Sequence, residues 1–241
     1  MSLLPHLQCR PDQIAERVVL CGDPARVDRI ANQLASCDVL GQHREFRLIN
    51  GRYQGLPITV CSTGIGGASA IIALEELVQA GARALVRVGS AGALQHEIAL
   101  GDLIVVEGAV RHDGASQAYL PPEYPACADI RLQAALLDHI AASGLPHWHG
   151  LVRSHDSFYR DDELAVCRYW HERGLLGADM ETASLLTVGR LRKVRVAAVL
   201  CNVVAFEQDV QQGVGDYASA EQAMMTGERL AIAAALHALV Q

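Results

Sequence analysis

Arg87 interrupts an aliphatic run, 85–88, whose composition predicts a buried strand. A guanidinium stays ionised, so inside a sheet it needs an anionic partner. Gly89, Ser90 and Gly92 follow at once and offer a hydroxyl and backbone amides beside the charge. A structural pair with a carboxylate is the alternative, but the serine and glycines favour a bound anion.

A second candidate for anion binding lies at residues 21–26, Cys-Gly-Asp-Pro-Ala-Arg. Gly22 and Pro24 turn the chain after a predicted strand, and Arg26 opens the next helix, whose free N–H groups attract anions. Alone this pattern is weak, because Gly-Asp-Pro is a common turn. The glycine-rich turn 62–69 resembles part of a dinucleotide fingerprint, but its sixth position is Ser69 and no acidic residue follows a second strand about twenty positions on, which disfavours NAD.

The elements that must position these residues alternate along the chain. Aliphatic and β-branched runs predict strands at 17–21, 58–61, 84–88, 103–106 and 196–204, and helical spacing predicts helices at 69–80, 130–142, 182–191 and 218–239. No linker, repeat or low-complexity tract divides them. We therefore expect one α/β domain over residues 1–241, a three-layer α/β/α arrangement about a central mixed sheet, with ligands at the carboxyl ends of strands.

Composition narrows the functional class. The 241 residues include 27 Asp and Glu against 20 Lys and Arg, a net charge of −7 that argues against nucleic-acid binding. Seven cysteines without a CxxC pattern suit a reducing cytoplasm, and neither a leader nor a membrane span is predicted. His147 and His149 lack a third ligand at metal spacing, so we expect a solvated loop there and no zinc.

Seven motifs, in order along the chain, are similar to those of the nucleoside phosphorylases, with the uridine phosphorylases as the closest subgroup. They are Gly22-Asp23-Pro24-x-Arg26, His43-Arg44-Glu45-Phe46, Ser62-Thr63-Gly64-Ile65-Gly66-Gly67, Arg87-Val88-Gly89-Ser90-Ala91-Gly92, Gly101-Asp102, Val110-Arg111-x-Asp113-Gly114-Ala115-Ser116 and Met180-Glu181. The resemblance covers essentially the whole chain. It implies that inorganic phosphate attacks C1′ of a nucleoside and releases the base, without a metal or organic cofactor in the chemistry.

The resemblance also implies roles for individual residues. Phosphate would be bound by Gly22, Arg26, Arg87 and Ser90, together with Arg44 from a neighbouring subunit. Ribose would be bound by Met180, Glu181 and His6, and His6 would also reach across the subunit boundary. The base would be bound by Gly92, Phe158, Asp162 and Asn202. Arg87, Glu181 and Arg26 would be the catalytic set. A homodimer or hexamer is therefore expected. Glu45, Ile65 and Ser69 match positions that hold a structural potassium ion between subunits.

The base-recognition motifs differ from those of both subgroups. Uridine phosphorylases carry Gln-x-Arg shortly after the Phe-Tyr that resembles Phe158-Tyr159, whereas here Asp162 and Leu164 stand at those places. Purine nucleoside phosphorylases carry an Asp, which protonates the purine, near the end of the last strand, where this chain has Asn202. An acidic loop, 161–163, could accept hydrogen bonds from guanine, or it could be a solvated lid.

Four functions remain open on the sequence alone. A uridine-phosphorylase-like enzyme with altered base recognition is the leading interpretation, and a purine nucleoside phosphorylase is the first alternative. A nucleoside hydrolase is disfavoured because water attack needs no phosphate-binding arginines such as Arg26, Arg44 and Arg87. A non-catalytic nucleoside-binding homologue is the remaining alternative.

Overall fold

A mixed β-sheet forms the centre of the computed structural model, which describes residues 2–207 and 222–241. Its strands in the described residues are β1 (Arg17–Cys21), β2 (Cys37–His43), β3 (Phe46–Tyr53), β4 (Leu56–Ser62), β5 (Ala84–Ala93), β6 (Leu103–His112), β7 (Ala126–Cys127), β8 (His147–His155), β9 (Gly177–Asp179) and β10 (Arg195–Val204). The helices are α1 (Pro24–Ala31), α2 (Gly67–Gln79), α3 (Gly114–Gln117), α4 (Ile130–Ala141), α5 (Glu163–His171), α6 (Thr182–Leu191) and α7 (Gln222–Leu239), with a 3₁₀ turn at Pro11–Gln13.

The strand order is β10-β6-β8-β9-β5-β1-β4-β3-β2, with β7 paired to β6. Strand β10 also pairs with β5, so β5, β9, β8, β6 and β10 close into a ring that the remaining strands extend. The pairs of β1 with β4 and β5, and of β5 with β10, are parallel. The carboxyl ends of these four strands therefore meet at one edge, as the sequence predicted for the ligand site.

The helices cover this sheet as two layers, which confirms the predicted three-layer α/β/α fold with a mixed sheet. Helix α4 packs on α7, and α2 packs on α6. The segment Val18–Cys21 of β1 is buried throughout, as expected for a strand covered on both sides. A Cβ at Gly189 of α6 would clash with Cγ2 of Val196, so glycine is what allows this helix to approach β10.

The predicted strands and helices are all present, and the bounds of β1 and α6 are those expected. The first part of the predicted helix 218–239 falls at residues 218–221, which lie outside the described residues. The expectation of a solvated loop around His147 and His149 was wrong, because both lie in β8, paired with β6. Helix α5, Glu163–His171, was not predicted, and it begins at the last residue of the acidic loop expected at 161–163. No helix of the described residues is long and apolar enough to cross a membrane.

Candidate active site

Arg87 lies in β5 with only 3% of its surface exposed, and it does form the carboxylate pairs that were considered as an alternative to anion binding. Its Nη2 donates to Asp179 Oδ2 at 3.0 Å and to Glu181 Oε2 at 2.6 Å. The guanidinium lies over Gly89, where a Cβ would come within 2.7 Å of it. No hydrogen bond in the described part of the chain occupies Nη1, so one arm of Arg87 remains available to a ligand.

Asp179 holds Arg87 in place from the end of β9. Its Oδ2 accepts from Arg87 Nε at 3.2 Å and from the backbone N–H of Thr182 at 3.0 Å, while Oδ1 accepts from Ser154 Oγ at 2.5 Å. The carboxylate is 5% exposed and lies at the N-terminus of α6, where unpaired N–H groups favour negative charge. Asp179 therefore fixes the orientation of Arg87 relative to α6.

Glu181 is buried between a glycine-rich turn and Arg87. Its Oε1 accepts from the backbone N–H of Gly66 at 2.6 Å, in the turn before α2, while Oε2 accepts from Arg87. Burial raises the pKa of Glu181; Arg87 opposes that rise and Asp179 adds to it. Each oxygen retains a second lone pair, so Glu181 can still accept hydrogen bonds from two hydroxyl groups.

Arg26 brings a second buried guanidinium to the same edge. It lies in the first turn of α1, which Asp23 caps by accepting from the N–H of Ala25 at 2.8 Å. Arg26 Nε donates to Glu228 Oε2 at 2.7 Å and Nη2 donates to Ser90 Oγ at 2.8 Å. The serine thus accepts from Arg26 and keeps its own hydroxyl proton for another acceptor.

The turn after β1 is joined to the turn after β4. Gly64 N–H donates to the carbonyl of Gly22 at 3.0 Å, and Thr63 N–H donates to that of Cys21 at 2.8 Å. A Cβ at Gly22 would lie 3.3 Å from the Gly64 carbonyl oxygen, which explains why this position is a glycine. The structure therefore brings together Gly22, Arg26, Ser90, Arg87 and Glu181, five of the predicted site residues, at the carboxyl ends of parallel strands.

Two predicted site residues lie apart from this cluster. Arg44 is exposed in the turn between β2 and β3, at φ 55°, and makes no hydrogen bond or ion pair with the described residues. His6 is held by Glu76 of α2, which accepts from its Nδ1 at 2.6 Å and from its backbone N–H at 3.0 Å. The buried Glu76 carboxylate fixes the proton of His6 on Nδ1 and leaves Nε2 as an acceptor.

The three residues matched to a cation site are neighbours in the structure. Ser69 Oγ donates to Glu45 Oε1 at 2.7 Å, and this hydrogen bond lowers the pKa of Glu45. Ile65 is 78% exposed in the adjoining turn. A carboxylate, a hydroxyl and backbone carbonyls are oxygen donors of the kind that bind a hard cation.

The predicted base-binding residues are less uniformly placed. Phe158 and Gly92 are half-buried, as is Met180, which is predicted to bind ribose. Asn202 is buried and its Nδ2 donates to the carbonyls of Ile98 at 3.3 Å and Ala99 at 3.0 Å, so the predicted contact with the base would fall to its Oδ1. Its Oδ1 is buried and has no partner in the described ranges.

The acidic segment 161–163 divides between surface and interior. Asp162 is exposed and pairs with Arg160, Oδ2 to Nη2 at 2.7 Å, which lowers its pKa. Glu163 turns inward at the start of α5, and its Oε1 accepts from Nη1 of the buried Arg153 at 2.8 Å. The structure therefore separates Asp162 from Glu163, which the sequence hypothesis treated as one acceptor loop.

Sequence reasoning missed three residues that organise the site: Asp179, Glu76 and Arg153. An Asp three positions before a Thr at a helix start is an N-terminal capping pattern that points to Asp179. Arg153 follows Leu151-Val152 in β8 but is followed by Ser154 and His155, so its sequence context is less conspicuous than that of Arg87 in β5. The pattern around Glu76 is ordinary for an amphipathic helix, so nothing in the sequence distinguishes it.

Comparisons with known proteins place the chain among enzymes. Residues 16–239 match the family model described as Phosphorylase superfamily. The chain is similar to a uridine phosphorylase of Thermococcus kodakarensis, with 35% identity over 95% of this chain and 86% of that protein. It is 36% identical to a guanosine phosphorylase of Halorubrum lacusprofundi, over 84% of this chain and 83% of that protein. A crystal structure of uridine phosphorylase from Vibrio fischeri ES114 is 48% identical, with a TM-score of 0.94 over 100% of this chain and 98% of that one.

Proposed function

The chain belongs to the phosphorylase superfamily, and on that premise we propose that it cleaves a uracil nucleoside with inorganic phosphate, giving uracil and ribose or deoxyribose 1-phosphate. It is a nucleoside phosphorylase, a pentosyltransferase whose substrates are a small-molecule nucleoside and phosphate. Uracil as the base is supported by the uridine phosphorylases among the similar proteins. Guanine is the second candidate, supported by the similar guanosine phosphorylase.

The observation that carries this proposal is that two buried guanidiniums lie at the carboxyl ends of the same parallel strands, Arg26 bonded to Ser90 and Arg87 bonded to Glu181. A phosphate dianion placed there would accept from Arg87 Nη1, from the Ser90 hydroxyl and from backbone amides of the Gly22 turn. Charge-assisted hydrogen bonds of this kind are strong, and they orient the anion for attack. They also supply locally the positive charge that a chain of net charge −7 lacks.

Glu181 and Met180 would bind the sugar above this phosphate. We expect Glu181 to accept from the 2′- and 3′-hydroxyls and Met180 to pack on the ring. A phosphate oxygen forms a bond to C1′ while the bond from C1′ to the base nitrogen breaks, and the bonding electron pair leaves with the base. The sugar carries positive charge in such a transition state, as in glycoside hydrolysis, and the phosphate stabilises it.

A subunit boundary would complete the site. The exposed, unpaired Arg44 and the anchored His6, whose side chain is 43% exposed, are suited to reach a neighbouring subunit's phosphate and ribose 5′-hydroxyl. The homodimer is therefore the proposed minimal active unit, and three dimers would form a hexamer. Potassium is the proposed ion at Glu45, Ile65 and Ser69, where it would join subunits without entering the chemistry.

The proposed compartment is the cytoplasm. All seven cysteines are unpaired, and four of them, Cys9, Cys21, Cys61 and Cys201, are buried. Burial raises the pKa of the Cys21 thiol to about 12, so that it remains protonated and unreactive near neutral pH. Free, inert thiols of this kind suit a reducing environment.

Release of base from uridine, thymidine, inosine, guanosine and methylthioadenosine, each with and without phosphate, tests the proposal. We expect release only with phosphate, and fastest from uridine. Faster release from guanosine would favour the second candidate. Release that does not depend on phosphate would indicate a hydrolase, and binding without release would indicate a non-catalytic protein.

A further inference from the structure

Arg153 is a buried cation outside the phosphate and ribose sites. None of its surface is exposed, and its Nη1 donates to Glu163 Oε1 at 2.8 Å. Its Nε donates to His112 Nδ1 at 3.2 Å, and the pKa of His112 is lowered by burial and by Arg153, which keeps this ring a neutral acceptor. Two of the three guanidinium nitrogens are therefore occupied.

Within the described residues, the third nitrogen of Arg153 and the second oxygen of Glu163 make no hydrogen bond. Arg153 Nη2 and Glu163 Oε2 are both buried, and neither finds a hydrogen bond in residues 2–207 or 222–241. Buried polar atoms are nearly always paired in native proteins, and charged ones are the most costly to leave unpaired. One donor, Arg153 Nη2, and one acceptor, Glu163 Oε2, of the same buried ion pair are thus available to hydrogen-bond a bound ligand.

Strand register places this pair beside the proposed substrate. Arg153 is the register partner of Ala178 in β9, Ala178 is the partner of Gly92 in β5, and Gly92 is the partner of Val204 in β10. Register partners project to the same side of a sheet, and adjacent strands are about 4.8 Å apart. Arg153 therefore lies about 10 Å from Gly92, across a row in which Ala178 and Gly92 have almost no side chain.

The neighbouring residues show from which face of the sheet Arg153, Ala178 and Gly92 project. Ser154 and Asp179, the next register pair, contact each other and point towards α6, where Ser154 Oγ also accepts from the N–H of Ala183 at 2.8 Å. Arg153 and Ala178 therefore face away from α6, towards α5. Ser90, two residues before Gly92, lies on the same side of β5 as Gly92, so the row leads from the phosphate ligand towards Arg153.

We infer that Arg153 and Glu163 form the base-recognition pair of this enzyme, with Arg153 Nη2 donating to a ring carbonyl and Glu163 Oε2 accepting from the adjacent ring N–H. The inference rests on the proposed function and names how its base site is built. In uracil these atoms are O4 or O2 and N3–H; in guanine they are O6 and N1–H. Cytosine and adenine present a lone pair where the N–H would be, so the carboxylate would repel them.

The same pair would also assist departure of the base. When the bond to C1′ breaks, the electron pair enters the ring and negative charge develops on the carbonyl oxygens. A guanidinium that donates to one of those oxygens stabilises this charge more than it stabilises the neutral substrate. Arg153 is therefore expected to affect kcat as well as KM.

An N-methylated substrate tests the inference on the unmodified enzyme. Turnover of uridine is compared with that of 3-methyluridine, and turnover of guanosine with that of 1-methylguanosine, at saturating phosphate. A site built to accept a hydrogen bond from the ring N–H should prefer the unmethylated nucleoside by about 100-fold or more in kcat/KM. If the enzyme cleaves guanosine and not uridine, the uracil proposal fails, while the guanosine pair still tests Arg153 and Glu163. Equal turnover of a nucleoside and its N-methyl analogue would overturn the inference.

Variants then assign the preference to the pair. In Glu163→Ala the preference for the unmethylated over the methylated nucleoside, measured as the ratio of their kcat/KM values, should fall at least tenfold. The KM for phosphate should stay within about twofold. Glu172→Gln, an exposed carboxylate change immediately after the same helix, is the matched control and should leave the ratio unchanged. Arg153→Lys, which keeps the charge but not the planar fork, should lower kcat about tenfold or more. A Glu163→Ala enzyme with the wild-type ratio would contradict the inference, even if Arg153→Lys does not fold.

Discussion

The two ends of the proposed substrate site are built differently. At the phosphate and ribose end, Arg26, Arg87 and Glu181 are all held by protein partners before a substrate arrives. At the base end, polar atoms remain open. Among the buried side-chain atoms without a partner in the described residues are Arg153 Nη2 and Glu163 Oε2, the two atoms of the proposed base-recognition pair. The first end is ordered by the fold, whereas we propose that the second is completed by the bound base.

This difference matches the chemistry required at each end. Attack on C1′ depends on the position of phosphate relative to the sugar, so rigid, paired side chains lower the cost of organising the transition state. Recognition of the base depends on which donors and acceptors are satisfied on binding. Enzymes with one reaction and several bases would share the first end and vary the second, which agrees with the departures at Asp162 and Leu164.

The largest expected effect is at Arg87. We predict that Arg87→Ala lowers kcat/KM for phosphorolysis by about 1,000-fold or more, because the variant loses a ligand for phosphate and leaves Asp179 and Glu181 as adjacent carboxylates without their cation. Steady-state kinetics over a range of phosphate concentrations measures this. Arg52→Ala, which removes an exposed arginine, is the matched control, and thermal unfolding separates loss of activity from loss of fold. Retained turnover with unchanged phosphate dependence would refute the assignment.

Glu181 should show the next largest effect, together with a pH signature. Glu181→Gln is expected to lower kcat/KM about 100-fold, since an amide is a weaker acceptor for two sugar hydroxyls. Because burial raises the pKa of Glu181, the carboxylate form should be lost at a higher pH than for an ordinary glutamate as the solution is acidified.

The sign of that pH effect follows from which form is active. The charged form accepts the hydroxyl protons, so activity falls as pH drops through the raised pKa and recovers above it. For stability the sign is opposite: the folded state favours the protonated form, so the contribution of Glu181 is largest below its ordinary pKa and falls as pH rises through the raised one. The pH profile of kcat/KM tests the first statement, and an unchanged acidic limb in Glu181→Gln would contradict it.

A smaller effect is expected at Glu76, which acts through His6. Glu76→Gln should raise the KM for uridine about tenfold, because the neutral amide keeps only one acceptor oxygen and holds the ring proton and orientation of His6 less firmly. The readout that separates positioning from general damage is 5′-deoxyuridine, which lacks the hydroxyl that His6 would contact. Its KM should change less than twofold in the same variant. Equal losses for both nucleosides would show that Glu76 only supports the fold.

The parts of the molecule that the sequence predicted are those governed by local rules. Uninterrupted aliphatic runs indicated β1 and β10, and helical spacing indicated α6, because burial alone selects such patterns. Strand β8 was missed since His147, His149 and Gly150 lack the aliphatic pattern of a buried strand; they are half-buried or exposed, and they form a strand through pairing with β6. Tertiary contact outweighed local composition there.

The same distinction applies to the site. Arg87 could be identified because a charge in an aliphatic strand is conspicuous, whereas Arg153 lies between Leu151-Val152 and the polar Ser154-His155, in a strand that was not predicted. Glu76 could not be identified, since its role arises only when residues 6 and 76 meet across the fold. Asn202 was placed in the base site by the family resemblance, which could not show that its N–H groups donate to the backbone carbonyls of the 98–99 turn, distant in sequence.

The smallest effect, and the sharpest test of the base end, is expected at Asp162. It is adjacent to Glu163 in sequence and stands at the position where uridine phosphorylases carry the glutamine that recognises the base. Asp162 is nevertheless exposed and paired with Arg160, whereas Glu163 contacts the buried Arg153. An exposed ion pair contributes little energy, so Asp162→Asn should change kcat/KM for uridine and for guanosine by less than about threefold. Parallel assays of both nucleosides measure this. A selective loss of guanosine cleavage would instead assign base recognition to the surface of this segment, because only a direct contact from Asp162 to guanine would distinguish the two substrates.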